Sequence, residues 1–195
     1  FVLFGSLMIH TGAGELFIDF ALVATGKMQG GPAKAAVVSS AIMGTVSGSA
    51  AGNVVTTGTF TIPLMKKVGF PPAFAGAVEA CASSGGQIMP PVMAATAFII
   101  AETMGVPYIK VLVAAIIPAA MYYWSIFKMV DIESYMQDLK PLKQEDLPDL
   151  KAEFKEKGHL IIPLAVLIIV IFMGMSAGKS VAIAIALIFI VSSLR

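Results

Sequence analysis

The sequence contains a single cysteine, Cys81, among 195 residues, so we expect neither a disulfide framework nor a cysteine-based metal site. Charged residues make up only 13% of the chain, and a formal net charge of +1 offers no basic surface for a nucleic acid. The sequence also lacks the metalloprotease motif HExxH, the hydrolase motif GxSxG and the P-loop motif of ATPases. These absences predict a chain that is not an enzyme and binds no nucleic acid.

Apolar residues dominate instead. They make up 57% of the chain, and the mean hydropathy is +0.88, which is typical of a membrane protein. Thirteen of the charged residues fall between 131 and 157, so the remaining segments suit a lipid bilayer. The chain starts at Phe1 and stops directly after an apolar segment. We therefore expect a piece of a longer multi-pass membrane protein.

Four uncharged stretches are long enough to predict ordinary transmembrane helices. They are residues 1–24, 111–127, 160–178 and 180–194, and the turn between the last two is expected at Ser176–Lys179. Aromatic residues near both ends of the second stretch extend that helix to 108–130. The charged residues 131–157 predict a solvated cytoplasmic connector with a short interfacial helix around Leu150 and Phe154.

The uncharged stretch 35–65 has a different character. A straight helix of its 31 residues would be roughly 46 Å long, too long for a bilayer, and its centre, 47–53, is rich in Ser and Gly. Lysines border the stretch on both sides: Lys27, Lys34, Lys66 and Lys67. Because lysines favour the cytoplasmic face, we interpret residues 33–67 as a re-entrant helical hairpin that turns back near the bilayer midplane.

Residues 72–104 predict a transmembrane helix that is broken in the middle. Gly85-Gly86 is followed closely by Pro90-Pro91, and a segment with both pairs cannot be one continuous helix. Irregular backbone at membrane depth is tolerated only inside protein or beside a cavity, so the two breaks predict a binding site.

Broken helices expose backbone groups that can bind ions. Carbonyl groups near 47–49 and 83–85 suit Na⁺, whereas N–H groups near 53–57 and 91–94, together with Thr56 and Thr57, suit a carboxylate. Packing alone also explains part of the pattern, since Gly44, Gly48 and Gly52 form a small-xxx-small stripe. Glu79 lies six residues before Gly85 and is expected to face the cavity.

Several motifs resemble the large membrane subunit of tripartite ATP-independent periplasmic (TRAP) transporters, the DctM-like permeases. They are Gly30-Gly31-Pro32-Ala33-Lys34, Gly48-Ser49-Ala50-Ala51-Gly52-Asn53-Val54-Val55-Thr56-Thr57-Gly58, Ile62-Pro63-Leu64-Met65-Lys66, Phe74-Ala75-Gly76-Ala77-Val78-Glu79-Ala80 and Gly85-Gly86-Gln87-Ile88-Met89-Pro90-Pro91-Val92-Met93. The resemblance covers nearly the whole chain. It is closest to the fused permeases that work with TAXI-type binding proteins.

The resemblance implies an all-α elevator-type secondary transporter of the bacterial or archaeal cytoplasmic membrane, with inverted repeats and coupled to Na⁺. Residues 1–130 would form the first repeat, and 158–195 the start of the second. A periplasmic substrate-binding protein would deliver an organic acid, and a small membrane subunit would be fused in the same chain. The resemblance places a Na⁺ site at Ser49, Asn53, Gly85 and Gly86. We interpret Thr56, Thr57, Gln87 and Pro91 as substrate-binding residues.

Two other functions remain open at this point. One is a divalent-anion/Na⁺ symporter that needs no binding protein, because such a transporter would use the same kind of re-entrant hairpin. A passive channel or an assembly subunit without transport activity is the second alternative, but a channel requires a continuous polar stripe. Here the polar residues concentrate at two breaks instead.

Overall fold

The computed structural model describes residues 2–142, 147–148 and 150–193, and these ranges contain helices and connecting turns but no strand. Ten α-helices follow in chain order: α1 (Val2–His10), α2 (Ala13–Thr25), α3 (Gly31–Ser47), α4 (Ala50–Lys67), α5 (Pro72–Ser84), α6 (Ala95–Thr103), α7 (Tyr108–Met136), α8 (Leu150–Lys157), α9 (Ile161–Phe172) and α10 (Ala177–Ser193).

Helix α3 is the centre of the bundle. It contacts α1, α2, α4, α5 and α7, and 13 of its 17 residues are buried. Small side chains along α3 let the neighbouring backbones approach closely, which is how helices associate in membranes. The two described hydrophobic cores lie on either side of it. One is built around Met43 and Val46, and the other around Ala36 and Val37.

Local sequence explains why the stretch 35–65 forms two helices rather than one. Gly48 ends α3 in the left-handed conformation at φ 59°, a common helix stop. Ser49 then starts α4, because its hydroxyl accepts a hydrogen bond from the Gly52 N–H over 3.2 Å. The turn Gly48–Ser49 lies inside the predicted segment 47–53.

Helical structure also stops between α5 and α6. Helix α5 ends at Ser84, a short 3₁₀ turn follows at Gly85–Gln87, and helix resumes only at Ala95. The glycine pair and the proline pair of the sequence both fall in this non-helical interval. The interruption therefore falls where the sequence predicts it.

The stretch 1–24 is not one ordinary helix, contrary to the sequence-based expectation. It divides into α1 and α2, which meet at 72° around Thr11 and Gly12. Gly12 adopts φ 92°, a conformation that residues with a Cβ rarely take, and so it ends the helical run. An isolated glycine in an apolar run does not by itself predict such a bend.

The C-terminal helices also differ from the prediction. Helix α9 stops at Phe172, and residues 173–176 form the turn around Gly174, which has φ 83°. The predicted turn Ser176–Lys179 is wrong, because Lys179 already lies in the first turn of α10. Helix α7 continues to Met136, six residues past the expected limit at 130.

By length and apolar composition, α7 is the one described helix that suffices to cross a membrane, and α1 with α2 passes the same test as a bent pair. Helices α9 and α10 are apolar but shorter. Large apolar side chains of α7 are exposed along its length, and they are Val113, Ile116, Ile117, Met121, Trp124 and Met129. Such a continuous exposed apolar face is typical of a surface that contacts lipid or protein.

The charged connector includes residues 143–146 and 149, which lie outside the described part of the chain. Its described residues up to Leu142 pack more closely than the predicted solvated segment. The Leu142 N–H donates to the Gly26 carbonyl over 3.0 Å, and the Leu139 side chain is buried. Helix α8 forms where the sequence predicts a short interfacial helix, and it packs against α2. Lys157 Nζ binds Glu15 Oε2 at 2.7 Å, and this hydrogen bond raises the pKa of the lysine above its ordinary value.

Candidate functional site

The two helix interruptions lie directly against each other. A Cβ added to Gly44 would come within 2.5 Å of the Gly86 Cα, and one added to Gly48 within 2.1 Å of the Met93 carbonyl oxygen. Backbones that approach this closely leave no room for side chains. We call the meeting point of Gly44, Gly48, Asn53, Gly86 and Met93 the break junction.

Asn53 occupies the break junction with no exposed surface. Its Nδ2 donates to the Ser40 carbonyl oxygen over 2.8 Å, and it lies 3.2 Å from the position that a Gly86 Cβ would take. The opposite amide oxygen, Oδ1, has only a long 3.4 Å contact with the Thr57 hydroxyl. Asn53 therefore presents a buried oxygen with spare capacity to accept another ligand.

The other predicted Na⁺ residues have different roles. Ser49 is half-buried one turn before Asn53 and caps α4 through its hydroxyl. Gly85 is buried and packs against the rings of Tyr122 and Tyr123, where a Cβ would come within 2.6 Å of the Tyr122 ring. Between the two interruptions, the close approach is that of Asn53 Nδ2 to Gly86.

The predicted substrate residues are spread over three environments. Thr57 is fully buried and its hydroxyl contacts both Asn53 and Glu79, whereas Thr56 is half-buried and borders a cavity of about 410 Å³. His10 and Glu15, from either side of the Gly12 bend, line the same cavity. Gln87 is exposed. Pro91 is buried, and its carbonyl accepts a 2.7 Å hydrogen bond from the Tyr108 hydroxyl.

The N–H groups at 53–57, which the sequence predicted to bind a carboxylate, are not the free N–H groups of α4. The Asn53 N–H already donates to the Ser49 carbonyl over 3.0 Å, because α4 begins at Ala50. The free amide groups of this helix N-terminus therefore belong to the first turn, before Asn53. On the other side, the Ala94 N–H donates to the Gln87 carbonyl over 2.7 Å.

Glu79 stands at the centre of a cluster of hydroxyl groups and is fully buried. The Ser83 hydroxyl donates to Oε1 over 3.0 Å, and Ser40 donates to the same oxygen over 3.4 Å. Thr57 also contacts Oε1, while Thr61 contacts Oε2. We call these four hydroxyl residues and Glu79 the Glu79 cluster, which joins helices α3, α4 and α5.

A second buried charge, Lys34, has a direct partner. Its side chain is 2% exposed, and Nζ binds Asp131 Oδ1 on α7. The ammonium group also lies 5.4 Å from the ring centre of Phe127. The ion pair therefore fixes the first turn of α3 against the distal part of α7.

The donor set at the break junction fits a hard monovalent cation. Na⁺ takes oxygen ligands, and those at or beside the junction are the Asn53 amide oxygen, the Ser49 hydroxyl and the Gly85 and Gly86 carbonyls. The two carbonyls already accept hydrogen bonds from the Ile88 and Met89 N–H groups, and the Asn53 atom nearest to Gly86 is the amide nitrogen. No group of three His, Cys, Asp or Glu side chains that would hold a transition metal occurs in the part of the chain that the structure describes.

The all-helical bundle, the membrane-suited helix α7 and the buried polar junction between two interrupted segments define a membrane transport protein in its general class. The family model for the DctM component of tripartite ATP-independent periplasmic transporters matches residues 1–195. The chain therefore belongs to this family of transporter permeases, whose members are inner-membrane proteins.

Curated relatives agree with the family. The chain is 26% identical over 156 residues to the C4-dicarboxylate TRAP transporter large permease protein DctM of Pseudomonas aeruginosa, which covers 80% of this chain and 36% of that protein. It is 30% identical over 122 residues to the 2,3-diketo-L-gulonate TRAP transporter large permease protein YiaN of Escherichia coli, covering 62% and 28%. The chain thus spans about a third of the length of these relatives.

Sequence reasoning singled out Glu79 but missed its surroundings. Thr57 and Thr61 are four residues apart, as are Glu79 and Ser83, so each pair shares one helix face. This four-residue spacing is the sequence feature from which the hydroxyl groups around Glu79 could have been predicted. The Lys34–Asp131 pair left a weaker signal, because each charge merely borders an uncharged stretch.

Proposed function

We propose that this chain is part of the permease of a Na⁺-coupled TRAP transporter that imports carboxylates. The break junction is the observation that carries the proposal, because it holds a buried amide oxygen, Asn53 Oδ1, beside the ends of interrupted helices. Asn53 and Gly86 bind Na⁺ together with Ser49 and Gly85. Thr56, Thr57, Gln87 and Pro91 form or support the neighbouring carboxylate site.

The proposed architecture is an elevator with inverted repeats. Helices α3 and α4 are a re-entrant hairpin, and α5 with α6 is one broken transmembrane helix. A periplasmic substrate-binding protein delivers the substrate, and a small membrane subunit completes the permease in the same chain, as in the TAXI-associated branch. The named substrates of two relatives, C4-dicarboxylates and 2,3-diketo-L-gulonate, support a carboxylate as the cargo.

A binding-protein-independent divalent-anion/Na⁺ symporter is the main competing function. Both functions use the same break junction, and uptake assays with and without the purified binding protein separate them. A passive channel is less well supported, since the described polar side chains cluster at the junction and at Glu79.

The Na⁺ site predicts a specific loss of ion affinity. In the full-length transporter, Asn53→Ala removes a buried oxygen ligand, which costs about 1–3 kcal/mol and raises the half-maximal Na⁺ concentration about 5- to 150-fold. Ser49→Ala has the same direction, with an added loss of about 1 kcal/mol in stability because Ser49 caps α4. Na⁺ titrations of uptake in vesicles measure both effects.

Thr59→Ala is the matched control for these variants. Thr59 lies on the same helix, is exposed, and its hydroxyl bonds only to the Thr56 carbonyl. It should leave the Na⁺ dependence unchanged. A Na⁺ dependence that stays the same in both Ser49→Ala and Asn53→Ala contradicts the assignment.

The hairpin predicts that both of its ends are reached from one side of the membrane. Lys34 is buried, so single cysteines are placed at exposed Lys27 and Lys66 after removal of exposed Cys81. An impermeant thiol reagent should label both positions from the cytoplasmic face only. Labelling of the two positions from opposite faces would show that this stretch crosses the membrane once.

A further inference from the structure

Glu79 is the one buried carboxylate of the described chain that touches only hydroxyl groups. Its neighbours in the Glu79 cluster carry no charge, and no described Lys, Arg or His forms an ion pair with it. A buried carboxylate without a cation is strongly disfavoured and is relieved by a bound cation or a proton. This cluster lies outside the residues assigned to the Na⁺ site.

The charged and titratable groups on the elements packed against α5 are engaged elsewhere or lie at a helix end. Lys34 of α3 pairs with Asp131, which also has Lys128 at 3.9 Å. The α7 hydroxyls of Tyr122 and Tyr123 donate to backbone carbonyls of α5 over 2.8 and 3.0 Å. On α4, Lys66 and Lys67 are exposed in the last turn, and on α5 Cys81 is exposed. None of these groups contacts the Glu79 carboxyl.

The Thr61 hydroxyl can accept a hydrogen bond from a proton on Glu79. The Thr61 hydroxyl lies 3.0 Å from the Thr57 carbonyl oxygen and also contacts Glu79 Oε2. A hydroxyl has one hydrogen and can donate to only one of these oxygens. With a proton on Oε2, Glu79 donates to Thr61, Thr61 donates to the Thr57 carbonyl, and both contacts are hydrogen bonds.

One hydroxyl connects this cluster to the break junction. Thr57 Oγ1 contacts Glu79 Oε1 and also lies 3.4 Å from Asn53 Oδ1. A cation bound at Asn53 would therefore repel a proton on Glu79 and stabilise its ionised form. Because such coupling is reciprocal, loss of the proton would strengthen cation binding to the same extent.

We propose that Glu79 is a proton-binding site that exchanges with the Na⁺ site. With the junction free of Na⁺, Glu79 carries a proton; when Na⁺ binds, the Oε2–H bond breaks and the proton passes to bulk water. One cation enters as one leaves, so the net charge of the buried region stays constant. This inference rests on the proposed Na⁺ site and adds a proton to its coupling.

The test uses the purified full-length transporter and infrared difference spectra recorded with and without Na⁺. We expect the band of a protonated carboxyl to disappear when Na⁺ is added. Glu79→Gln, which matches the shape of a protonated carboxyl, should lack this change. Glu102→Gln, the same substitution at an exposed glutamate, should retain it.

Uptake assays provide the second measurement. In the unmodified transporter, the half-maximal Na⁺ concentration should fall by up to about tenfold per pH unit as the pH rises, since one proton leaves per Na⁺ bound. Glu79→Gln should give a pH-independent value, and Glu79→Asp, which keeps an acid, should restore a pH dependence.

The outcomes separate this inference from the proposed function. Na⁺-driven uptake with the same pH dependence in Glu79→Gln, or without a carboxyl signal in the unmodified protein, overturns the proton site and leaves the Na⁺ site standing. Absence of any Na⁺ response overturns the proposed function and the exchange together. The carboxyl band then still decides whether Glu79 holds a proton.

Discussion

Replacing Lys34 by methionine should destabilise the full-length transporter by about 3 kcal/mol. The substitution preserves most of the side-chain volume but leaves Asp131 without its buried partner, and breaking a buried ion pair on one side typically costs about 3–5 kcal/mol. We expect the lower end, because the Asp131 side chain is 22% exposed and Lys128 remains at 3.9 Å. Thermal unfolding of the purified protein in detergent measures the loss.

Lys66→Met is the matched control, because it removes the same charge from an exposed position. It should change stability by less than about 1 kcal/mol. Adding Asp131→Asn to Lys34→Met should recover part of the loss, because no lone buried charge then remains. Equal effects of Lys34→Met and Lys66→Met would show that the ion pair does not hold α3 against α7.

Gly44→Ala should impair both stability and transport. The new Cβ would lie 2.5 Å from the Gly86 Cα, a backbone atom that cannot rotate away, so α3 must separate from the 3₁₀ turn. Such overpacking costs about 1–3 kcal/mol. The shift also separates Gly86 from Asn53, and each 1.4 kcal/mol of strain borne by the ion-binding conformation weakens Na⁺ affinity about tenfold.

Gly76→Ala provides the control within the same bundle. Gly76 lies in α5, and nothing is within 4 Å of the position that its Cβ would take. Alanine should be neutral or stabilising there, because it is the better helix former by about 1 kcal/mol. Uptake and thermal unfolding are compared for the two variants. If Gly44→Ala behaves like Gly76→Ala, the close contact at the break junction is important for neither uptake nor stability.

The sequence predicted the features that depend on local chemistry. The turn at Gly48–Ser49 follows from a helix-stopping glycine and a capping serine, and the stop at Ser84 from the glycine pair that comes next. Both signals lie within a few residues of the structure that they produce. The family resemblance seen in these motifs is confirmed by the family match over 1–195.

Features that depend on packing were not predictable from one sequence. Lys34 and Asp131 are 97 residues apart, and their pairing requires α3 to lie against α7. The hydroxyl groups around Glu79 come from three helices, so the cluster exists only once those helices are assembled. The bend at Gly12 is similar, since nothing in the neighbouring residues distinguishes it from a packed glycine in a straight span.

The central position of α3 imposes an order on biosynthesis. At about 5–20 residues per second, the ribosome makes Asp131 roughly 5–20 s after Lys34, so the lysine leaves the ribosome long before its partner exists. An unpaired lysine is costly in lipid, and α3 gains its ion pair only after α7 has been synthesised. Helix α3 therefore gains its contact with α7 late, although it is made early.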